Sequence, residues 1–344
     1  MKTALITGVS GQDGAYLSKL LLNKDYRVIG GDRRTASGSL WRLEQLGVIN
    51  DVEIVDFELA ELTNIQRLIE NNEIDEIYNL AAQSFVQASF EVPLMTSDIT
   101  GLGVTRILES IRKINPSIKF YQASSSEMFG KVQQIPQSEK TPFYPRSPYS
   151  VAKLYAHWIT INYREAYNLF AVSGICFNHE SPLRGEEFVT RKITIGFAKI
   201  KNGDIDHLEL GNLDAKRDWG FAGDYVKGMW MMLNQNEPDD FVLATGQIFS
   251  IKDFIEEVSQ YFDFKIRWEG SGLDLIGIDE KSNKVIIKIN PKYFRPTEVD
   301  QLIGDPGKAN TVLGWKHEVN FQELTRMMAE ADLKKYNNKN ILSG

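Results

Sequence analysis

Apolar and polar positions follow two alternating periods along the first half of the chain. Thr3–Thr7 is a short continuous apolar run, and Ala15–Leu22 then repeats its apolar residues at helical spacing. Further apolar runs at Tyr26–Gly30, Val52–Val55, Ile77–Leu80 and Lys119–Ala123 predict a second to a fifth strand. Helical patterns separate them, among them Leu62–Glu70 and Gly103–Lys113. Strands that alternate with helices imply right-handed crossovers and a parallel sheet, a doubly wound α/β fold. The strands are apolar throughout because both faces of such a sheet are covered. Val151–Ala166 predicts a long helix, and Ala171–Ile175 is another apolar, strand-like run. After Asn178 the alternation fades into loops with Gly, Pro and charge, although Phe241–Ala244 has the pattern of a strand returning to the sheet. The expected organisation is one large unit over 1–177, with returning segments near 220–250, and a smaller lobe from 178–219 and 251–344. Only the tail from Asn337 to Gly344 reads as loosely held.

The 344 residues are 42% hydrophobic and 25% charged, the make-up of an ordinary globular protein with a large core. A net charge of −7 argues against non-specific nucleic-acid binding but leaves room for local basic clusters that grip phosphate. Cys176 is the single cysteine, so no intrachain disulfide forms and a cytoplasmic setting is expected, with the thiol buried and inert. The N-terminus lacks the build of a signal peptide, and no apolar run reaches the roughly 18 residues that would span a membrane. The four histidines have no ligand spacing, so no metal site is expected.

Chemistry enters with Gly8-Val-Ser-Gly11-Gln12-Asp13-Gly14, which follows a strand and opens a helix. Gly8 permits a tight turn, Gly11 lets backbone approach a pyrophosphate, and Gly14 allows the helix to pack closely on the sheet. The spacing is G-x-x-G-x-x-G, and its context predicts a dinucleotide site that includes Gln12 and Asp13. Asp32-Arg33-Arg34 ends the second strand. Asp32 there suits a ribose hydroxyl, whereas Arg33 and Arg34 suit a 2′-phosphate, and the paired guanidiniums favour NADP over NAD. Asp56 and Phe57 are placed to flank the adenine, and Leu80, Ala81, Ala82 and Gln83 offer small residues where the cofactor passes close to backbone. All lie at carboxyl ends of strands, where open α/β sheets bind ligands.

Ser125 and Glu127 follow the fifth strand on the same edge, and an extended backbone would point both the same way. Tyr149 stands four residues before Lys153, a spacing that on a helix puts both side chains on one face. The ammonium is expected to favour the phenolate and bring a phenol of ordinary pKa about 10 nearer neutrality. The Tyr–Lys pair alone serves reductase, epimerase and dehydratase alike; the added carboxylate of Glu127 is what dehydration requires.

Four longer strings carry a resemblance: Pro142 to Lys153, Phe177-Asn-His-Glu-Ser-Pro182, Leu210 to Asp218, and Tyr293-Phe-Arg-Pro-Thr-Glu-Val-Asp300. In these the chain resembles, over nearly its whole length, the GDP-mannose 4,6-dehydratases, a family of extended short-chain dehydrogenases/reductases. The resemblance implies that Tyr149 takes the proton of the sugar 4-hydroxyl, with Ser125 on the 4-oxygen and Lys153 tuning Tyr149 and holding the nicotinamide ribose. Glu127 would take the C5 proton and then protonate the leaving 6-hydroxyl. It further implies that Ser84, Asn178, Lys192, Arg217 and Arg295 grip the diphosphate and sugar, that Glu298 reads guanine, and that His179 and Arg184 lie near the nicotinamide. A homodimer or homotetramer is the implied assembly. Two departures stand out: Ser125 where the family often has Thr, and Leu183 where an arginine is usual. A roomier pocket at these positions would admit GDP-manno-heptose as an alternative to GDP-mannose.

Overall fold

Seven parallel strands form the central sheet: β1 (Thr3–Thr7), β2 (Arg27–Asp32), β3 (Glu53–Asp56), β4 (Glu76–Asn79), β5 (Lys119–Ser125), β6 (Ala171–Cys176) and a last strand, Asp240–Leu243. They lie in the order Asp240–Leu243, β6, β5, β4, β1, β2, β3. The computed structural model describes residues 1–34, 38–294, 297, 299 and 301–342. From β1 the chain builds outward first to β2 and β3, then on the other side to β4 and beyond. The reversal opens a crevice between β1 and β4 at the carboxyl ends of the strands. The doubly wound parallel sheet expected from the alternating pattern is therefore present.

Both faces of the sheet are sealed by helices. Ile6, Leu21, Tyr78 and Val172 belong to one apolar cluster, and Leu5, Ile77, Ile107 and Phe120 to another on the opposite face. Successive residues of one strand, such as Leu5 and Ile6, thus serve different cores, which is why the strand reads as a continuous apolar run.

Past Asn178 the structure differs from the expected loops. Helices Val189–Asn202, Ile251–Tyr261 and Phe321–Leu342 pack with three small sheets. Phe197, Trp219, Phe254 and Phe321 are among the side chains of their shared core. Several of these strands are two or three residues long, such as Lys216–Arg217 and Asn178–Glu180, too short to display a period.

The long helix also differs at its start. It runs Pro148–Tyr167, because Ser147 and Ser150 form a reciprocal capping box and Pro148 sits in the first turn. Tyr149 thus stands in the first turn, rigidly held, with Lys153 one turn on. No helix among the described residues is long and apolar enough to cross a membrane.

Candidate active site

The glycine turn shapes the first part of the site. Gly8 has φ +70°, and a Cβ there would meet the Ala81 Cα at 2.9 Å, so only glycine fits where the turn passes β4. A Cβ on Gly14 would stand 2.5 Å from the Gly8 carbonyl oxygen and 2.6 Å from the Val9 Cα. Gly14→Ala is therefore expected to cost roughly 1–3 kcal/mol by overpacking and to weaken dinucleotide affinity more than tenfold. Chemical denaturation and a cofactor titration check the two parts. Gly11 caps the helix Gln12–Leu22 without a side-chain hydrogen bond, leaving its first amides available to an anion. Across the turn the Thr7 hydroxyl accepts from the Leu80 and Ala81 amides, each at 3.1 Å, which fixes the start of the β4 loop.

Between these loops lies a hollow of about 250 Å³, lined by Gly8, Gly11, Phe57, Leu80, Ala81, Ala82, Gln83 and Ser84 among others. A shallower hollow beside it is lined by Arg33, Arg34, Asp56 and Phe57. Phe57 itself is buried in the core. Asp32 does not face a ligand freely, since its two carboxylate oxygens accept from the Ser10 and Ser39 hydroxyls, both at 2.8 Å. Cradle, amides and hollow together fit a dinucleotide, with the guanidiniums of Arg33 and Arg34 at its outer end. Gln12 and Asp13 point elsewhere: their side chains reach the strand Asn178–Glu180, with Asp13 Oδ2 at 2.8 Å from His179 Nε2.

The residues expected to react gather at the end of β5. Ser125 is the last residue of the strand, and residues Ser126–Met128 turn into a short 3₁₀ helix. The extended geometry expected for Ser125 and Glu127 is thus replaced by a turn in which the Glu127 amide donates to the Ser125 hydroxyl at 3.2 Å. Tyr149 is buried and hydrogen-bonded to Ser125. Lys153, also buried, donates to the Ala123 carbonyl at 2.7 Å, with its Nζ 5.9 Å from the centre of the Tyr149 ring.

The expected lowering of the Tyr149 pKa is not found. Burial pushes the phenol up to about 12, against the pull of the Ser125 hydrogen bond and the Arg184 charge, while the Glu127 carboxylate adds to the rise. Burial also brings Lys153 down to about 8. In the protein alone, desolvation of a phenolate outweighs the benefit of a nearby cation, here the Arg184 guanidinium. Cys176 is buried as expected, and burial raises its thiol to about 12.

Beyond the end of β6, the strand that pairs with β5, lies a cleft of about 520 Å³, lined by Asn178, Lys192 and Arg217 together with Phe85, Phe188 and Trp219. The Asn178 side-chain oxygen is buried and has no hydrogen-bond partner among the described residues, a feature that calls for a ligand donor. Lys192 lies 3.3 Å over the ring of Tyr293, and burial lowers its pKa. Arg217 donates to the Lys216 and Val299 carbonyls. Arg184 stacks 3.6 Å over Phe188 and pairs with Glu180. Arg295 and Glu298 lie outside the described residues. The aromatic walls Phe85, Phe188 and Tyr293 escaped sequence reasoning, since an isolated aromatic gives no signal of the face it lines.

Leu183 is not beside the sugar-facing groups. It is 1% exposed and packs in an apolar cluster with Val9 and Leu17, so the room it was expected to add to the pocket does not exist. Among the described residues no cluster of ligating side chains could hold a metal ion.

The doubly wound parallel sheet, with its glycine turn at the switch point, defines a Rossmann-type fold. The family model for GDP-mannose 4,6 dehydratase matches residues 5–328, and the chain belongs to that family. It is 51% identical over 339 residues to the GDP-mannose 4,6-dehydratase of Sinorhizobium fredii, covering 96% of this chain and 97% of that protein. The solved dTDP-glucose 4,6-dehydratase of Bacillus anthracis, in complex with NAD, superposes with a TM-score of 0.81 at 20% identity, covering 98% of each chain. RMD from Pseudomonas aeruginosa, complexed with NADPH, gives a TM-score of 0.75 at 20% identity and covers 97% of this chain and all (100%) of its own. These two likenesses are of fold.

Proposed function

We propose that the chain is a GDP-mannose 4,6-dehydratase, a hydro-lyase that works with a retained nicotinamide cofactor, NADP in preference to NAD. The observation that carries this reading is that Ser125, Glu127, Tyr149 and Lys153 gather at the end of β5, whose neighbours β4 and β6 lead into the loops of the glycine-turn hollow and of the cleft of Asn178, Lys192 and Arg217. Tyr149 removes the proton of the sugar 4-hydroxyl while Ser125 holds the oxygen. A nicotinamide held over the glycine turn would supply the acceptor for hydride from C4 and its donor to C6, with no net redox change. The 4-ketone acidifies the C5 proton, which Glu127 takes; Glu127 then gives that proton to the 6-hydroxyl, which departs as water, and C5 regains a proton as hydride arrives at C6, offset by the one that Tyr149 took from the 4-hydroxyl. The product is GDP-4-keto-6-deoxymannose. Lys153 fixes the ribose side of the cofactor and the position of Tyr149. Asn178, Lys192 and Arg217, joined by Arg295 and Glu298, hold the nucleotide diphosphate and its base. The half-identity to relatives that bear this name supports mannose as the sugar.

Incubation with GDP-mannose and GDP-manno-heptose side by side tests the reading. Mass spectrometry is expected to show loss of one water from GDP-mannose, without accumulation of reduced cofactor. Preferential turnover of the heptose nucleotide would move the assignment to it, and no water loss from either would overturn it. The heptose alternative now rests on Ser125 alone.

The preference for NADP is supported by exposed Arg33 and Arg34 beside the hollow and by Asp32 already engaged with two serines. Arg33→Ala combined with Arg34→Ala is expected to raise the Kd for NADP+ roughly 10- to 100-fold, the worth of one or two charge-assisted hydrogen bonds. The Kd for NAD+ is expected to change less than about threefold, as isothermal titration would show. A homodimer or homotetramer belongs to the same reading, supported by the exposed apolar side chains of Val151, Tyr155 and Trp158 along the helix Pro148–Tyr167.

A further inference from the structure

The first turn of the helix Gln12–Leu22 faces two ways. Its amides open toward the glycine cradle, while the side chains of Gln12 and Asp13 cross to the segment that starts the second lobe. Asp13 Oδ2 lies 2.8 Å from His179 Nε2, and His179 Nδ1 lies 2.7 Å from the Phe177 carbonyl oxygen. Facing an oxygen on both sides, the ring donates from both nitrogens and carries a charge. Burial opposes that charge and the Asp13 carboxylate overcomes it, so the His179 pKa stands above its ordinary value. The imidazole also stacks on the Tyr225 ring, with centroids 4.6 Å apart.

Two further bridges run in parallel. Gln12 donates from Nε2 to the His179 carbonyl at 3.0 Å and accepts at Oε1 from the Ser181 hydroxyl at 2.7 Å. Ser181 in turn accepts from the Leu183 amide at 3.0 Å. Arg42 then ties the Leu183 carbonyl (2.7 Å) to the Ser10 carbonyl of the glycine turn (3.0 Å). Segment 178–184 begins with Asn178 on the nucleotide cleft and ends with Arg184, whose charge reaches Tyr149. A buried ion pair contributes little net stability, and its best-attested use is to fix one register.

We propose that Gln12 and Asp13 are positioning residues, forming a latch that couples occupancy of the dinucleotide cradle to the placement of Asn178 at the nucleotide-sugar cleft and of the Arg184 charge near Tyr149. A dinucleotide seated on the amides of this turn holds the latch in register, and the ordered 178–184 segment then meets its own ligand at lower entropic cost. Each ligand therefore tightens the other, by the same factor in either order. The proposal rests on the GDP-sugar reading of the cleft.

Isothermal titration of NADP+ and of GDP, each alone and in the presence of the other, tests it on the wild-type protein and on Asp13→Asn. The wild type is expected to bind NADP+ at least about fivefold more tightly with GDP present, and Asp13→Asn to retain less than a twofold effect. Ser181→Ala, which removes a different bridge, is expected to lower the coupling in the same direction and stands in should Asp13→Asn not fold. Coupling that persists undiminished in the variants, or a wild type that binds NADP+ equally with and without GDP, overturns the latch alone. A wild type that fails to bind GDP overturns the nucleotide-sugar reading and the latch with it.

Discussion

Glu127→Gln is expected to abolish water loss while leaving the protein folded and able to bind its nucleotide sugar. The side chain leaves a 3₁₀ turn whose backbone is fixed by the Glu127 amide bond to Ser125, and the exchange of carboxylate for amide preserves its volume. An amide is no base, so removal of the C5 proton loses a contribution of roughly 10²- to 10⁴-fold in kcat. Two measurements separate this step from the rest. In deuterated water the wild type is expected to place solvent deuterium at C5 of the product, and the variant to leave the recovered sugar unlabelled. The Kd for GDP-mannose is expected to move less than about threefold. Dehydration and C5 exchange that continue in Glu127→Gln would strip the residue of its role. They would also reopen the epimerase and reductase readings, which need only Tyr149 and Lys153.

What the sequence reveals of this molecule tracks how local each determinant is. β1 and β4 are legible because helices cover both faces, so every residue of the strand is apolar or buried. The long helix is misread at its start, where Ser147 and Pro148 begin the first turn ahead of the apolar repeat. The second lobe is least legible, since strands such as Phe249–Ser250 owe their existence to partners distant in sequence. The site divides in the same way. The glycine turn announces itself, because Gly8 takes a positive φ and the demand on Gly14 comes from the backbone of Gly8 and Val9 a few residues away. The state of Tyr149 does not, because it depends on how deeply β5, the long helix and Arg184 bury it. Asp32 reads as free to take a ribose hydroxyl, whereas Ser10 and Ser39 already donate to it, and Leu183 reads as a pocket residue, whereas it packs with Val9 and Leu17 and does not line the cleft of Asn178. Resemblance of whole strings compensates for part of this: it draws Asn178, Lys192 and Arg217 into one cleft, a gathering that spacing alone does not express.

Tyr149→Phe is expected to lower kcat/KM for GDP-mannose by roughly 10²- to 10⁴-fold, the worth of a positioned general base. The ring still fills its buried place, so the melting temperature is expected to change little. The pH profile distinguishes loss of the base from loss of packing. In the protein without its ligands burial holds the phenol at about 12 and Lys153 at about 8, so near neutrality Tyr149 is protonated and Lys153 charged. Raising the pH increases the phenolate fraction, so wild-type kcat/KM is expected to climb across the neutral range. Above about 8 Lys153 sheds its proton, its help to the phenolate is lost, and the climb bends over. In Tyr149→Phe no phenol remains to ionise, and the residual activity is expected to lose the climb. Lys153→Met should flatten the bend while lowering the whole curve. A Tyr149→Phe enzyme that keeps the wild-type pH profile would mean that another group takes the 4-hydroxyl proton, and the buried phenol would then be a wall of the site and not its base.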